Sequence, residues 1–349
     1  LSESYLTCFK GKGIKPKNIV VADDFTRFSG KTLLVVNPVD SHSFTRVLED
    51  VLSGIKPLGF RIKRISQVDM SVEYADYKLR VGSYLRIPYA FNMYNGYADK
   101  RVSYIVIDGK TNVGAREGYT MGENVYTPSL FSQYNLMHNG VVASVLPHGI
   151  NPALWYPEGV EKRYDILNIV SGEKRKGIPD FIRMCEEVRK RKPDLKVKLY
   201  VYGPRPDVPD WVDVSFGSIP QSDVRKLYSS ARLYAYSSYV EGFGMTPLEA
   251  MACGTPAITI DAPAMNEYMP EKLTIRVREV KWVEWDKSPN ELKMPWHYPD
   301  IEHWAQLVYD VLTVKDLYDE AVSLCHETVK NYLTVKHYTA LFAEHGIIV

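Results

Sequence analysis

Short apolar runs alternate with amphipathic stretches along most of this 349-residue chain. Thr32-Leu33-Leu34-Val35-Val36 reads as a buried strand. Residues 44–55 follow with helical spacing and stop near Pro57 and Gly59. Residues 61–65 alternate as a second strand, 103–107 form another, and 141–146 a short one before Pro147-His148-Gly149-Ile150. A second series begins after Tyr164. Strands are predicted at 166–170, 196–202, 233–236 and 256–260, with helices at 179–192, 222–229 and 247–252. Pro179 lies near a helix start, where the first turn tolerates it. Residues 301–312 and roughly 317–343 read as helical. Strand and helix in alternation predict an α/β chain with parallel sheets. The proline-rich stretch 147–164 is the predicted seam between two such domains.

Composition adds bounds rather than identity. Apolar content of 45% and charged content of 24% suit a soluble globular chain, and the length suits two domains. The net charge is +1, which does not point to nucleic acid. The halves differ: residues 1–157 carry a net +5 and the remainder −4. A basic first half suits an anionic acceptor or peripheral contact with a membrane surface; ordinary scatter of surface charge gives the same count. Cys8, Cys185, Cys253 and Cys325 are far apart and lack metal-ligand spacing, so no zinc site is expected. No apolar run approaches 18 residues, no leader pattern is visible, and a cytoplasmic location is expected.

The densest chemistry lies at residues 239–258. Glu241 and Glu249 stand eight positions apart, with Gly242, Phe243, Gly244, Met245 and Thr246 between them opening an apolar helix. Such an N-terminus offers unpaired N–H groups and the positive end of the helix dipole, a ready place for a diphosphate. Carboxylates on either side suit hydroxyls flanking that diphosphate, as in a nucleotide-sugar. By itself, a pair of glutamates at this spacing is as well explained by a solvated helix face.

The run Glu-Gly-Phe-Gly followed by Leu-Glu-Ala-Met-Ala-Cys-Gly-Thr-Pro-Ala-Ile resembles the paired-glutamate signature of retaining glycosyltransferases of family 4. Residues 126–132, 145–151, 171–177 and 217–220 resemble further segments of that family. The likeness is good over about 126–265 and weak before that and over 270–300. It implies a GT-B architecture: two Rossmann-like α/β domains facing a central cleft. The implied domains are 1–155 for the acceptor, 156–314 for the nucleotide-sugar, and C-terminal helices at 315–349 returning toward the first domain.

The resemblance also assigns roles. Lys176 would neutralise the departing diphosphate, and Glu241 would face the donor hexose. Glu249 would accept hydrogen bonds from the ribose. The backbone N–H groups of Phe243, Gly244, Met245 and Thr246 would meet the phosphates, with Gly242 permitting close approach. Gly203 and Ile219 fall in loops that would line the donor. The usual upstream arginine has no clear counterpart, since Ser171 or Gly172 stands near its place. Either Arg175 or Lys174 can substitute. The implied partners are a UDP- or GDP-linked sugar and an unidentified glycan, lipid or small-molecule acceptor, with no metal and no cofactor.

The first domain departs from the family. Its first strand is followed by Asn37-Pro38-Val39-Asp40-Ser41-His42-Ser43 rather than a glycine-rich loop. Asp40, His42 or Asp108 could serve an acceptor; each is equally an ordinary loop residue. Residues 74–101 are rich in aromatic and basic side chains that suit sugar stacking, lipid phosphates or core packing. Trp282, Trp285 and Trp296 either fold over the cleft or pack against the body. Two rivals stand beside the transferase: another enzyme on the same fold, such as an epimerase or phosphorylase, and a catalytically degenerate GT-B protein that binds sugars as a partner subunit. No Walker A or dinucleotide fingerprint occurs.

Overall fold

The computed structural model describes residues 29–37, 42–66, 74–83, 97–110, 123–285 and 292–332. Among the described residues, contacts group those up to Asn151 in one compact unit and those over 152–283 and 294–332 in a second.

The first unit is built on six parallel strands: β1 (Thr32–Asn37), β2 (Arg61–Ser66), β3 (Tyr74–Ser83), β4 (Tyr97–Val106), β5 (Glu123–Thr127) and β6 (Ser144–Val145). They lie in the order β2-β1-β3-β4-β5-β6. The helix α1 (His42–Ile55) joins β1 to β2, and α2 (Leu130–His138) joins β5 to β6. Ser129 caps α2 by accepting from the Ser132 N–H at 3.0 Å. Ile105, Ile107, Val125, Leu136, Val141 and Ala143 form one core cluster.

The structure differs from the sequence pattern here in two places. Residues 74–83 are a strand next to β1 at the middle of the sheet, with Tyr77 and even Lys78 buried. The predicted strand over 141–146 shortens to two residues, because Val141 is spent closing the turn after α2 by bonding the Leu136 carbonyl.

The second unit holds β7 (Tyr164–Ser171), β8 (Val197–Tyr202), β9 (Asp213–Phe216), β10 (Ala231–Tyr236), β11 (Ala257–Ile260) and β12 (Thr274–Ile275). These are also all parallel, in the order β12-β11-β10-β7-β8-β9. Strands β7, β8, β10 and β11 are buried almost throughout, which is why they read as mainly apolar runs with few polar positions. Around them pack α3 (Ile178–Arg191), α4 (Gln221–Ser229), α5 (Met245–Ala252), α6 (Ile301–Thr313) and α7 (Lys315–Lys330).

Helix α7 packs on α5 and α6 of this same unit, and the Ala257 N–H reaches the Cys325 sulfur at 3.4 Å. The start of the expected returning segment is therefore part of the second unit; residues 333–349 lie outside the described ones. Within 270–300, one of the segments weak in family likeness, β13 (Val277–Glu284) and β14 (Lys293–Pro299) pair as a two-stranded arm. Among the described residues no helix is long and apolar enough to cross a membrane.

Candidate active site

Chain order and strand order diverge at one place in the second sheet. The chain runs outward from β7 through β8 to β9, then returns to place β10 on the other side of β7. Loops leaving the carboxyl ends of β7 and β10 therefore part to opposite faces and leave a crevice, where open α/β sheets bind ligands. Lys176 follows β7 and Glu241 follows β10. Topology thus brings together two residues that are 65 positions apart.

Lys176 ends a short 3₁₀ turn, Lys174–Lys176, that Gly177 closes in the left-handed conformation at φ 62°. A Cβ at Gly177 would sit 2.2 Å from the Ser237 carbonyl oxygen and 2.9 Å from the Tyr239 ring. Only glycine lets the two loops approach this closely. They are also stitched directly. The Tyr239 N–H donates to the Arg175 carbonyl at 2.9 Å, and the Ser237 hydroxyl donates to the Lys176 carbonyl while accepting from Asn168 Nδ2 at 2.8 Å.

The buried Lys176 ammonium pairs with Glu241 Oε1 and donates to the Tyr236 hydroxyl at 3.2 Å. Arg175 Nη1 lies 3.1 Å from Glu241 Oε2 and donates to the Val240 carbonyl at 3.0 Å. Arg175 Nε donates to Glu173 at 2.7 Å. Glu241 also accepts from the Tyr236 hydroxyl at 2.7 Å and from Ser238.

Burial pushes the Glu241 carboxyl up, but Arg175 and Lys176, with hydrogen bonds from Lys176 and Ser238, hold it well below the usual carboxylate range. Glu173 follows the same pattern: burial raises it, and Arg175 and Lys176 bring it below its ordinary value. Burial, together with the Glu241 charge, holds the Tyr236 hydroxyl protonated well above its usual range. The result is an ionised, hydrogen-bonded cluster in a dry place. Burying such charges is costly unless each is compensated.

Helix α5 begins beside this cluster. Gly244 stands before it at φ 85°, and no side chain caps the helix. A Cβ at Gly244 would meet Met265 Cγ at 2.8 Å. The Met245 and Thr246 N–H groups open the first turn, where no intrahelical acceptor exists. The Phe243 side chain is core: its ring packs against Tyr268 and Tyr332 at centroid distances of 5.3 and 6.3 Å.

Glu249 lies in the fifth position of α5, fully buried, and its Oε2 accepts from the Tyr228 hydroxyl at 3.0 Å. Gly203 closes β8, and Ile219 is half-buried in the loop after β9, both at the carboxyl side of the sheet. Of the two substitutes for the upstream arginine, Arg175 reaches Glu241 and Lys174 is exposed.

Sequence reasoning missed Tyr236, Ser238 and Glu173. Tyr236 and Ser238 stand just before the glutamate motif, at the end of a strand and in the loop after it, which is the only signal that could have drawn attention to them. It also missed the brace behind Glu241. Tyr239 packs against Trp296 and Tyr298 of β14, and its carbonyl accepts from the His297 N–H at 3.1 Å. Burial lowers the His297 imidazole to about 4, against the opposing pull of the Pro295 and Tyr239 carbonyls and Asp261. Trp296 therefore packs against the body, and Trp282 is exposed. In the first unit, Asp40 lies outside the described residues and Asp108 is half-buried in the turn after β4.

Comparison with known proteins bears on this geometry. Residues 164–281 match the family model described as Glycosyl transferases group 1. The chain is 27% identical over 270 residues to an uncharacterized glycosyltransferase of Sulfolobus islandicus rod-shaped virus 1, covering 70% of this chain and 78% of that one. Further curated matches cover between 13% and 43% of the relatives' own length. Among solved structures, the sucrose-phosphate synthase of Thermosynechococcus elongatus superposes with a TM-score of 0.65 at 13% identity, over 90% of this chain and 98% of that one. WaaG, a glycosyltransferase involved in lipopolysaccharide biosynthesis, gives 0.60 at 13% identity, over 90% and 100%. The two parallel sheets and these structural likenesses establish the GT-B fold; with the match over residues 164–281, they support a GT-B glycosyltransferase.

Proposed function

We propose that the chain transfers a hexose from a nucleoside diphosphate sugar, UDP- or GDP-linked, to an acceptor hydroxyl, with retention of anomeric configuration and without a metal. The carrying observation is the meeting of Lys176, Arg175 and Glu241 at the strand-order switch, beside the open N-terminus of α5. Two cations and a helix N-terminus suit a diphosphate that gains charge as the glycosidic bond breaks.

In this reading Lys176 and Arg175 neutralise the leaving group as the C–O bond lengthens. The N–H groups of Phe243, Gly244, Met245 and Thr246 add hydrogen bonds to the same oxygens. Glu241 accepts from a donor sugar hydroxyl, and Glu249 accepts from the ribose once Tyr228 yields. Gly203 and Ile219 border the base. No protein nucleophile is assigned: the departing phosphate takes the acceptor proton as the new bond forms on the same face. The upstream arginine is replaced by Arg175, so the second cation remains, which speaks against the degenerate binding-subunit reading.

The test is product analysis. Purified protein is incubated with UDP- and GDP-linked hexoses and a panel of acceptors, and the product anomer is read by proton NMR. Retained configuration in product that persists in EDTA is expected. Inverted product, or EDTA-abolished turnover, contradicts the corresponding part. Epimerised donor without transfer points to the rival enzyme.

A further inference from the structure

Four side chains hold the carboxylate of Glu241. Lys176 and Ser238 donate to it, Tyr236 donates at 2.7 Å, and Arg175 stands at 3.1 Å. These are the cations assigned to the diphosphate above. A diphosphate and a carboxylate offer them the same chemistry, namely negative charge on oxygen. Both cannot fill one cation pair without crowding like-charged oxygens in a dry site, which is costly.

The two partners are not equally anchored. Lys176 and Arg175 sit on backbone bonded to the β10 loop through Ser237 and Tyr239, and Gly177 permits no retreat. The backbone of Glu241 is fixed as well, its N–H donating to the Pro263 carbonyl at 2.9 Å and its carbonyl accepting from Ala264 at 2.8 Å. Its side chain, however, is held only by side-chain partners and can change rotamer. An arriving anion would therefore move the carboxylate and leave the cations in place.

We propose that Glu241 is a displaceable internal anion. It occupies the cation pair that the donor diphosphate takes, and donor binding releases it toward the sugar. The inference rests on reading this cluster as the donor site. Two consequences follow. The cations keep a counter-charge until the diphosphate replaces it, so the buried cluster is not left uncompensated. The released carboxylate becomes available for a sugar hydroxyl only after the phosphates are in place, so sugar recognition follows phosphate binding.

Competition by an internal group lowers apparent affinity by the fraction of molecules already open. Removing the internal charge should therefore tighten nucleotide binding, the reverse of what loss of a ligand contact does. The experiment is calorimetric titration of wild type, Glu241→Gln and Tyr236→Phe with UDP, GDP and ADP, with circular dichroism to check folding. The nucleotide that binds wild type should bind Glu241→Gln about tenfold more tightly or better. Tyr236→Phe, which loses one bond holding the carboxylate, should shift affinity the same way by less.

Unchanged or weaker binding in folded Glu241→Gln overturns the displacement. If Glu241→Gln does not fold, Tyr236→Phe carries the test, and unchanged or weaker binding there overturns it. Binding of no nucleotide by wild type or either variant overturns the donor-site reading itself, and the displacement with it.

Discussion

Glu241 in the second unit and Asp50 in the first are both carboxyls withdrawn from water, 7% and 4% exposed, yet they are driven in opposite directions. Burial pushes Asp50 up to about 7, with Arg46 opposing only in part and Glu49 adding to the rise. Burial presses on Glu241 too, but Arg175 and Lys176 reverse it. The sheets around them share a design: six parallel strands with one reversal of strand order, at β1/β3 in the first and β7/β10 in the second. In the second, loops at the reversal carry cations that compensate a buried anion. In the first, residues 38–41 after β1 lie outside the described ones, and the buried acid sits on α1 instead. The same withdrawal from water thus leaves a carboxyl ionised where neighbouring cations outweigh burial and raises it where they do not.

The largest expected effect comes from separating the two loops of the second unit. Gly177→Ala places a Cβ against the Ser237 carbonyl in a left-handed backbone, and should cost roughly 3 kcal/mol or more. Chemical denaturation followed by tryptophan fluorescence would show it; wild-type stability would mean that the loops are not closely joined.

Lys176→Ala removes a cation from leaving group and carboxylate alike. Transfer should fall by about a hundredfold or more, read as kcat/KM. A tenfold change or less would remove Lys176 from the proposed chemistry.

Asp50 sharpens the contrast through pH. Its folded value, about 7, lies above its ordinary 3.8, so the folded protein binds the proton more tightly. Its contribution is fully present below about pH 4 and is lost as pH rises through 7. Asp50→Asn should remove a fall on the order of 3 kcal/mol between those limits, compared with wild type by denaturation at several pH values. Parallel pH curves for the two proteins would show that the acid is not held neutral.

The smallest effect belongs to Tyr228→Phe, which takes one hydrogen bond from buried Glu249 and should cost about 1 kcal/mol. Thermal unfolding that shows no loss would mean the carboxylate finds another donor.

The second unit was the more legible in sequence, and the reason is physical. Its inner strands are buried on both faces, so residues 166–170 and 257–260 are apolar apart from Asn168 and Thr259. Strand β3 carries Asp76, Lys78 and Arg80, and its polar positions concealed it. Strand β9 is a short, half-exposed edge, and β13 alternates charged residues on an arm with little core behind it. Within the site, Lys176, Glu241 and the α5 opening were legible as a motif. The choice of Arg175 over Lys174 was not, because a 3₁₀ turn decides which side chain faces inward. Nor were Tyr236 and Ser238, whose hydroxyls gain meaning only once β10 is folded beside β7.

The central claim is that the cluster at the β7/β10 reversal binds the diphosphate of a nucleotide-sugar. The most direct test is a thermal-shift panel of UDP, GDP, ADP and their common sugars on wild type and Lys176→Ala. A ligand that binds only the folded chain raises Tm by mass action. The account predicts that one nucleotide series stabilises wild type by several degrees and leaves Lys176→Ala unmoved, which would also name the base. No shift from any nucleotide, or equal shifts in both proteins, would contradict it.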